Sequence, residues 1–520
     1  MLGWIAKSSR HMWSKNKRFA YIYGICQSLV SKITATPNEP SFFRRIITMS
    51  DQIKELLNLV ENSLSVDGTT VKVLNADTFR KNIGKLVERS ALAADESASW
   101  ARYLIRAAAL ELGVYPASIH ELYMARGRGD APMTFCTPAF NLRALSHHTA
   151  RAMFRAAKKI NAGAFIFEIA RSEIGYTGQR PAEYATNVIA AAVAEGFTGP
   201  VFLQGDHFQV SSKKYAADSA GELKAVRDLT VEAISAGFFN IDVDTSTLVD
   251  INLPTIPEQQ ALNSLLSAQL SAFIREHEPK DVTISIGGEI GEVGTNNSTE
   301  AELRAYMDGY NVELKKLAPG KPGLSKISVL TGTSHGGTVL PDGSIAKVNI
   351  AFDVLRDLSR VARKEYGMGG TVQHGASTVA EENFNQFVQH EAIEVHLATN
   401  FLTMFFDNIP ADFKKEIYAW LDVNSAGERK PGMTDEQFYY KARKNAVGPF
   451  KAKSYALPEE AKAKLVAAWE AQFDKLFGLL GLKDTRQYTE KFITPVNVAP
   501  VLADYVKEAA AQEDVSDLAD

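Results

Sequence analysis

Only two cysteines occur in 520 residues, Cys26 and Cys136. Two thiols cannot build a disulfide framework or a cysteine-based zinc site, and a reducing compartment is the default. Positive charge is not in excess either. The net charge of −4 argues against non-specific nucleic-acid binding, which needs a basic surface. No long apolar run is present. The segment Tyr21–Val30 is too short and too broken to span a bilayer, so neither nucleic acid nor membrane is an expected partner. What remains is 45% hydrophobic and 23% charged, an ordinary globular composition, enough for one large domain with appendages or for two domains.

The first 48 residues lack acids. Lys7, Arg10, Lys15, Lys17, Arg18, Lys32, Arg44 and Arg45 stand against Glu39 alone. Such a leader fits an organelle transit peptide. The plainer reading is an over-extended start, because Met49-Ser50 opens an amphipathic helix with Ile53, Leu56, Leu57 and Val60 on one side. A cytoplasmic protein is expected, with organelle import as the alternative if residues 1–48 are a real leader.

Residues 50–125 read as helical, with Leu104, Ala108 and Leu112 on one face. From about residue 132 the pattern changes. Short apolar runs alternate with amphipathic helices: Met133–Leu142, Ala164–Ala170, Val201–Asp206, Phe238–Asp244, Val282–Ile290, Ile327–Leu330, Thr371–Gln373 and Ile393–Leu397. Eight strands alternating with helices predict a parallel (β/α)8 barrel with its site at the strands' C-terminal ends. The expected organisation is a leader (1–48), a helical N-terminal segment (49–131), the barrel (132–405) and a helical C-terminal extension (406–520).

Three histidines sit where such strands run out into turns: His207 in VFLQGDHF, His335 in VLTGTSHGG and His374 in GTVQHGAST. They suggest a three-histidine metal site with an open, catalytic position. Asp206, beside His207, is a candidate general base. Glu289, in the densest Gly/Glu cluster of the chain, and Asp244, ending the fourth run, are further site candidates. The glycines around Glu289 are expected to let backbone approach a ligand, and Asp242 shares a strand face with Asp244. Gly336 and Ser377 suit a phosphate. For His147-His148, opening a helix, a capping or surface role is expected.

Together these residues resemble the class II, metal-dependent fructose-bisphosphate aldolase family, over about residues 132–450. The Asp-His pair after strand three looks like Asp206-His207, and the later ligands look like His335 in SHGG and His374 in HGAS. The resemblance implies a (β/α)8 barrel and a divalent metal, usually Zn2+, with His207, His335 and His374 as ligands and Asp244 and Glu289 bordering a second metal position. A monovalent cation is also possible on this reading. It further implies Asn141 in PAFN and Gly336, Ser377 and Thr399 as substrate and phosphate residues. Arg443 in Tyr439-Tyr440-Lys441-Ala442-Arg443 looks like the family's arginine that reaches a phosphate in the neighbouring subunit, which implies a homodimer or larger assembly. The final strand departs from the family's Asn-Ile-Asp-Thr-Asp and reads His396-Leu397-Ala398-Thr399-Asn400, putting His396 at a substrate-binding position. The mobile-loop acid is expected at Glu300. The segment Gly175–Tyr184 also resembles the tagatose-bisphosphate aldolase accessory branch, so a ketose-phosphate C4 epimerase or a tagatose-bisphosphate aldolase-type protein is the alternative to fructose 1,6-bisphosphate cleavage.

Overall fold

Eight apolar runs become eight parallel strands. In this computed structural model the described residues are 51–291, 296–332, 339–341, 346, 350–505, 515 and 517–518. The strands are β1 (Thr137–Asn141), β2 (Ile166–Ala170), β3 (Gly199–Gln209), β4 (Asn240–Asp244), β5 (Ser285–Glu289), β6 (Lys326–Ser328), β7 (Thr371–Gln373) and β8 (Glu394–Leu397). Neighbours in sequence are neighbours in the sheet, and β8 pairs with β1, so the barrel closes. All five residues of β1, β2 and β4 are buried. A parallel strand covered on one side by helices and on the other by the barrel interior has no exposed face, so β4 stays buried even where Asn240, Asp242 and Asp244 alternate with Ile241 and Val243.

The intervening helices include Ser146–Lys159, Pro181–Ala194, Ser219–Ala236, Ile256–His277, Glu300–Leu317 and Phe352–Tyr366. Their starts are chemically marked. Thr255 with Glu258 and Thr299 with Glu302 form reciprocal capping boxes, each satisfying helix N–H groups that have no partner within the helix. Glu302 is therefore a helix cap.

The chain divides into two compact units, Met1–Leu56 and Leu57–Asp520. Of the first, residues 51–56 are described and are helical. Within the second, the segment ahead of the barrel is helical over Ala76–Leu92, Glu96–Glu111 and His120–Arg128. It departs from an all-helical reading twice. Leu64–Asp67 and Thr70–Val73 form an antiparallel hairpin turning at Gly68, whose φ is +61°; Asp-Gly between short β-prone runs is a hairpin signal. Val114–Ala117 adds a strand beside the start of β3.

The helix His120–Arg128 closes the N-terminal end of the barrel. Leu122 and Tyr123 pack with Ala139, Ile166, Phe202, Val372 and Ile393. The C-terminal region is helical, including Ala411–Asn424 and Glu459–Leu479. The second of these docks through Phe473, which stacks on Phe401 at 4.5 Å and meets Phe140 edge-on at 5.0 Å. No helix among the described residues is long and apolar enough to cross a membrane.

Candidate active site

Strand β3 supplies two adjacent site residues. A regular strand would send Asp206 and His207 to opposite faces. Here the pairing of β3 with β4 slips between Gly205 and Phe208, and His207 has φ +40°. A bulge of this kind re-aims side chains. Both residues reach the barrel mouth, where the His207 and His374 rings lie 4.3 Å apart and His374 Nδ1 lies 4.0 Å from Asp206 Oδ1.

The other contributors also come from C-terminal strand ends. Asn141 ends β1, Asp244 ends β4, Glu289 ends β5 and His374 follows β7. His207, Glu289 and His374 each offer a ligand atom, all within 4.8 Å of one another. Two imidazoles and a carboxylate are a donor set that suits zinc with an open position, so the residues fit a divalent cation. Asp206, His374 and His396 form a second such group sharing His374. His335 and Gly336 lie outside the described residues.

The ligand candidates are held from behind. Ser328 Oγ lies 2.7 Å from His374 Nε2. Asp244 is absent from both groups. Its Oδ2 lies 3.0 Å from His207 Nδ1 and accepts from Gln209 Nε2 at 2.6 Å, while its Oδ1 accepts from Ser246 N and Oγ. With both oxygens engaged, Asp244 orients His207, the partner a metal-binding imidazole ordinarily has.

Residues 132–464 match the family described as fructose-bisphosphate aldolase class-II. The chain belongs to the class II fructose-bisphosphate aldolase family. Among solved structures it is similar to a probable tagatose 6 phosphate kinase from Sinorhizobium meliloti 1021 (15% identity, 68% of this chain and 98% of that one, TM-score 0.48). It is also similar to fructose-bisphosphate aldolase from Campylobacter jejuni (17%, 71% and 97%, 0.42) and to the fructuronate-tagaturonate epimerase UxaE from Cohnella laeviribosi (12%, 81% and 90%, 0.49). No curated protein matches the chain.

Class II aldolases are aldehyde-lyases that generally depend on a divalent metal and act on sugar phosphates, and the buried histidine-carboxylate cluster of this member suits such an ion. Burial opposes charge on His207, but the carboxylates of Asp206 and Glu289 outweigh it and hold the imidazole well above the usual histidine range. Burial, with Asp244 nearby, pushes Glu289 up to about 7. Asp206 lies well below the usual carboxylate range; burial works against this, and the neighbouring His207 and His396 overcome it. The centre is thus a field that favours positive charge, from a bound cation or from protons.

Several expected residues do converge. Asn141 Nδ2 donates to Asp206 Oδ2 at 2.9 Å and to Glu173 Oε2 at 2.8 Å, and its Oδ1 is buried with no hydrogen-bond partner. Ser377 Oγ accepts from Thr399 N at 3.2 Å, joining the turns after β7 and β8. His396 is buried, its ring 4.1 Å from that of His374. Glu300 stands apart, half-exposed and paired with Arg304 at 2.9 Å. Arg443 is buried within its own chain, 3.9 Å above the Tyr440 ring, and donates to Thr403 Oγ1 at 2.7 Å. His147 is not at the surface. Its helix packs on Pro181–Ala194, and its Nδ1 lies 3.1 Å from Asn187 O.

Sequence reasoning missed a charged layer beneath the mouth, formed with Asp242 by Glu168, Gln204, Lys326 and Glu394. A signal was available. Glu168 in FIFEIA and Glu394 in IEVHL are acids inside apolar runs, and Glu394 lies two residues from His396, hence on the same strand face. The glycines of β5 have a different use from the one expected. A Cβ on Gly287 would lie 2.2 Å from Asp242 Oδ1, and one on Gly288 would lie 2.6 Å from the Tyr306 hydroxyl. They make room for side chains of the protein itself.

Proposed function

We propose that this aldolase-family member cleaves fructose 1,6-bisphosphate to dihydroxyacetone phosphate and glyceraldehyde 3-phosphate and runs the reverse condensation, as in glycolysis and gluconeogenesis. The observation that carries the reading is the convergence of His207, Glu289 and His374 beside Asp206. His207, His374 and Glu289, with His335, would hold Zn2+ or another divalent ion. Such an ion, when bound, would supply Lewis-acid polarisation of the ketose carbonyl.

Asp206 takes the proton of the C4 hydroxyl. The C3–C4 bond then breaks, C4 leaves as the aldehyde, and an acid, assigned to Glu300, returns a proton to C3. Asn141 and His396 hold the two oxygens of Asp206. Asp244 keeps the His207 ring in orientation. Gly336, Ser377, Thr399 and Arg443 bind phosphate, and the enzyme works as a homodimer or larger assembly.

Incubating the protein with fructose 1,6-bisphosphate and with fructose 6-phosphate, with and without chelator, tests this. Chelator-sensitive release of triose phosphates is the expected result. A tagatose product without triose release would replace the lyase reading with epimerisation.

A further inference from the structure

Lys326 opens β6 and is fully buried inside the barrel, one register step below Ser328. Its ammonium donates to Gln204 Oε1 at 2.7 Å, lies 2.9 Å from Asp242 Oδ1 and contacts Glu394 Oε1. Glu394 also accepts from the Tyr123 hydroxyl. The same Glu394 Oε1 lies 2.5 Å from His396 Nε2, and His396 Nδ1 lies 3.2 Å from both Asp206 Oδ1 and Glu168 Oε2. An unbroken run of contacts therefore leads from the ammonium to the carboxylate beside the metal ligands.

The layer has the make-up of a cation site. Glu168, Asp242, Glu394 and His396 offer ligand atoms all within 4.8 Å of one another, and all four are buried. Among the described residues of this layer the lysine is Lys326, which contacts two of the four, while the His396 ring contacts Glu168. A second observation points the same way. Glu168 Oε1 is buried without a hydrogen-bond partner, an unsatisfied acceptor within the layer. Gly287 keeps β5 bare where the pair passes, since a Cβ there would also lie 2.8 Å from Lys326 Cε. A Schiff-base role for this lysine needs a neutral amine. Burial favours one, but Asp242 and Glu394 more than offset it and hold the ammonium above the usual lysine range.

We propose that Lys326 is a positioning residue, an internal monovalent cation that fixes Glu394 and His396 and through them Asp206, and that a chain lacking this side chain takes up potassium or ammonium ion in its place. The link to Asp206 rests on the aldolase reading; the ion uptake does not.

Lys326→Ala and Lys326→Met in the full chain test both parts. Thermal midpoints are read in potassium, ammonium and choline chloride at equal ionic strength, alongside kcat, KM and zinc content. Lys326→Ala is expected to gain several degrees in potassium or ammonium relative to choline, while the parent and Lys326→Met, which fills the space, do not respond. In choline its kcat on fructose 1,6-bisphosphate should fall at least tenfold and recover in part with ammonium, with KM and zinc content within threefold of the parent. A folded Lys326→Ala that ignores both ions, or that keeps parental kcat in choline, overturns the proposal. If it folds only in potassium or ammonium, the proposal stands. If neither single variant folds, Lys326→Met combined with Glu394→Gln removes both charges and decides: low kcat with zinc retained supports the role, and parental kcat overturns it. A parent without aldolase activity would fail the functional reading, while the midpoints would still decide the ion uptake.

Discussion

His396 Nδ1 lies 3.2 Å from Asp206 Oδ1, while Asn141 Nδ2 donates to Asp206 Oδ2 at 2.9 Å. The carboxylate is gripped at both oxygens, one by a ring from β8 and the other by an amide from β1. A base held this way is in place before substrate arrives. Asp206→Ala should lower kcat by about 10²–10⁴ and leave zinc content unchanged, as measured by elemental analysis beside a triose-phosphate assay. Near-parental turnover would remove Asp206 from the chemistry.

His374 belongs to both groups at the barrel mouth able to hold a cation, and the third group, Glu168, Asp242, Glu394 and His396, lies in the layer beneath. Its replacement by alanine should therefore strip a metal held at the mouth, whichever of the two groups binds it. Asp244 touches His207 without joining either group, so Asp244→Asn should weaken zinc affinity by about 10–100-fold without abolishing binding. Competition with a chromogenic chelator measures both. Equal losses in the two variants would make Asp244 a ligand instead of a support.

The eight strands were legible from their regular alternation with amphipathic helices, although Thr371–Gln373 and Glu394–Leu397 carry polar residues and are nonetheless buried throughout. The site was legible in part for a geometric reason: in a parallel barrel the chemistry collects at strand exits, and a histidine beside a glycine marks an exit. What sequence could not supply was direction. The slip in β3 that brings Asp206 and His207 to one side is marked in the sequence only by Gly205, where a Cβ would lie 2.4 Å from the Phe208 ring. Lys326 reads in isolation as a solvated charge ahead of a strand, and only the closed barrel sets it among Asp242, Glu394 and Gln204. The hairpin at Gly68 went unread because its two strands are only four residues each and stand between helices.

Arg443 sits over Tyr440 and donates to Thr403, one turn beyond Thr399 on the same helix. The turn that holds Ser377 against Thr399 is at the start of that helix. If Arg443 meets a substrate phosphate there, Arg443→Ala should raise KM for fructose 1,6-bisphosphate by about 10–100-fold, the range for a hydrogen bond to a charged group. The change in kcat should be smaller, since phosphate is bound before and after C3–C4 cleavage alike. Steady-state kinetics check this; an unchanged KM would assign Arg443 to packing on Tyr440 alone.

His120 and His147 are buried away from the mouth, and burial pushes both down to about 3. Their ordinary value is 6.5, so the unfolded chain takes up these protons first. The stability they contribute is present above pH 6.5 and is lost as pH falls toward 3. Each unit of this interval is worth about 1.4 kcal/mol per group, so acidification from pH 6.5 to 5 should remove about 2 kcal/mol for each histidine. His147→Gln, whose amide can still donate to Asn187 O, should lose its share of that dependence. Denaturant unfolding of parent and variant across pH 5–7 reads it as a difference, which cancels the titration of the other groups. Parallel curves would mean that His147 is protonated in the folded state, against its burial.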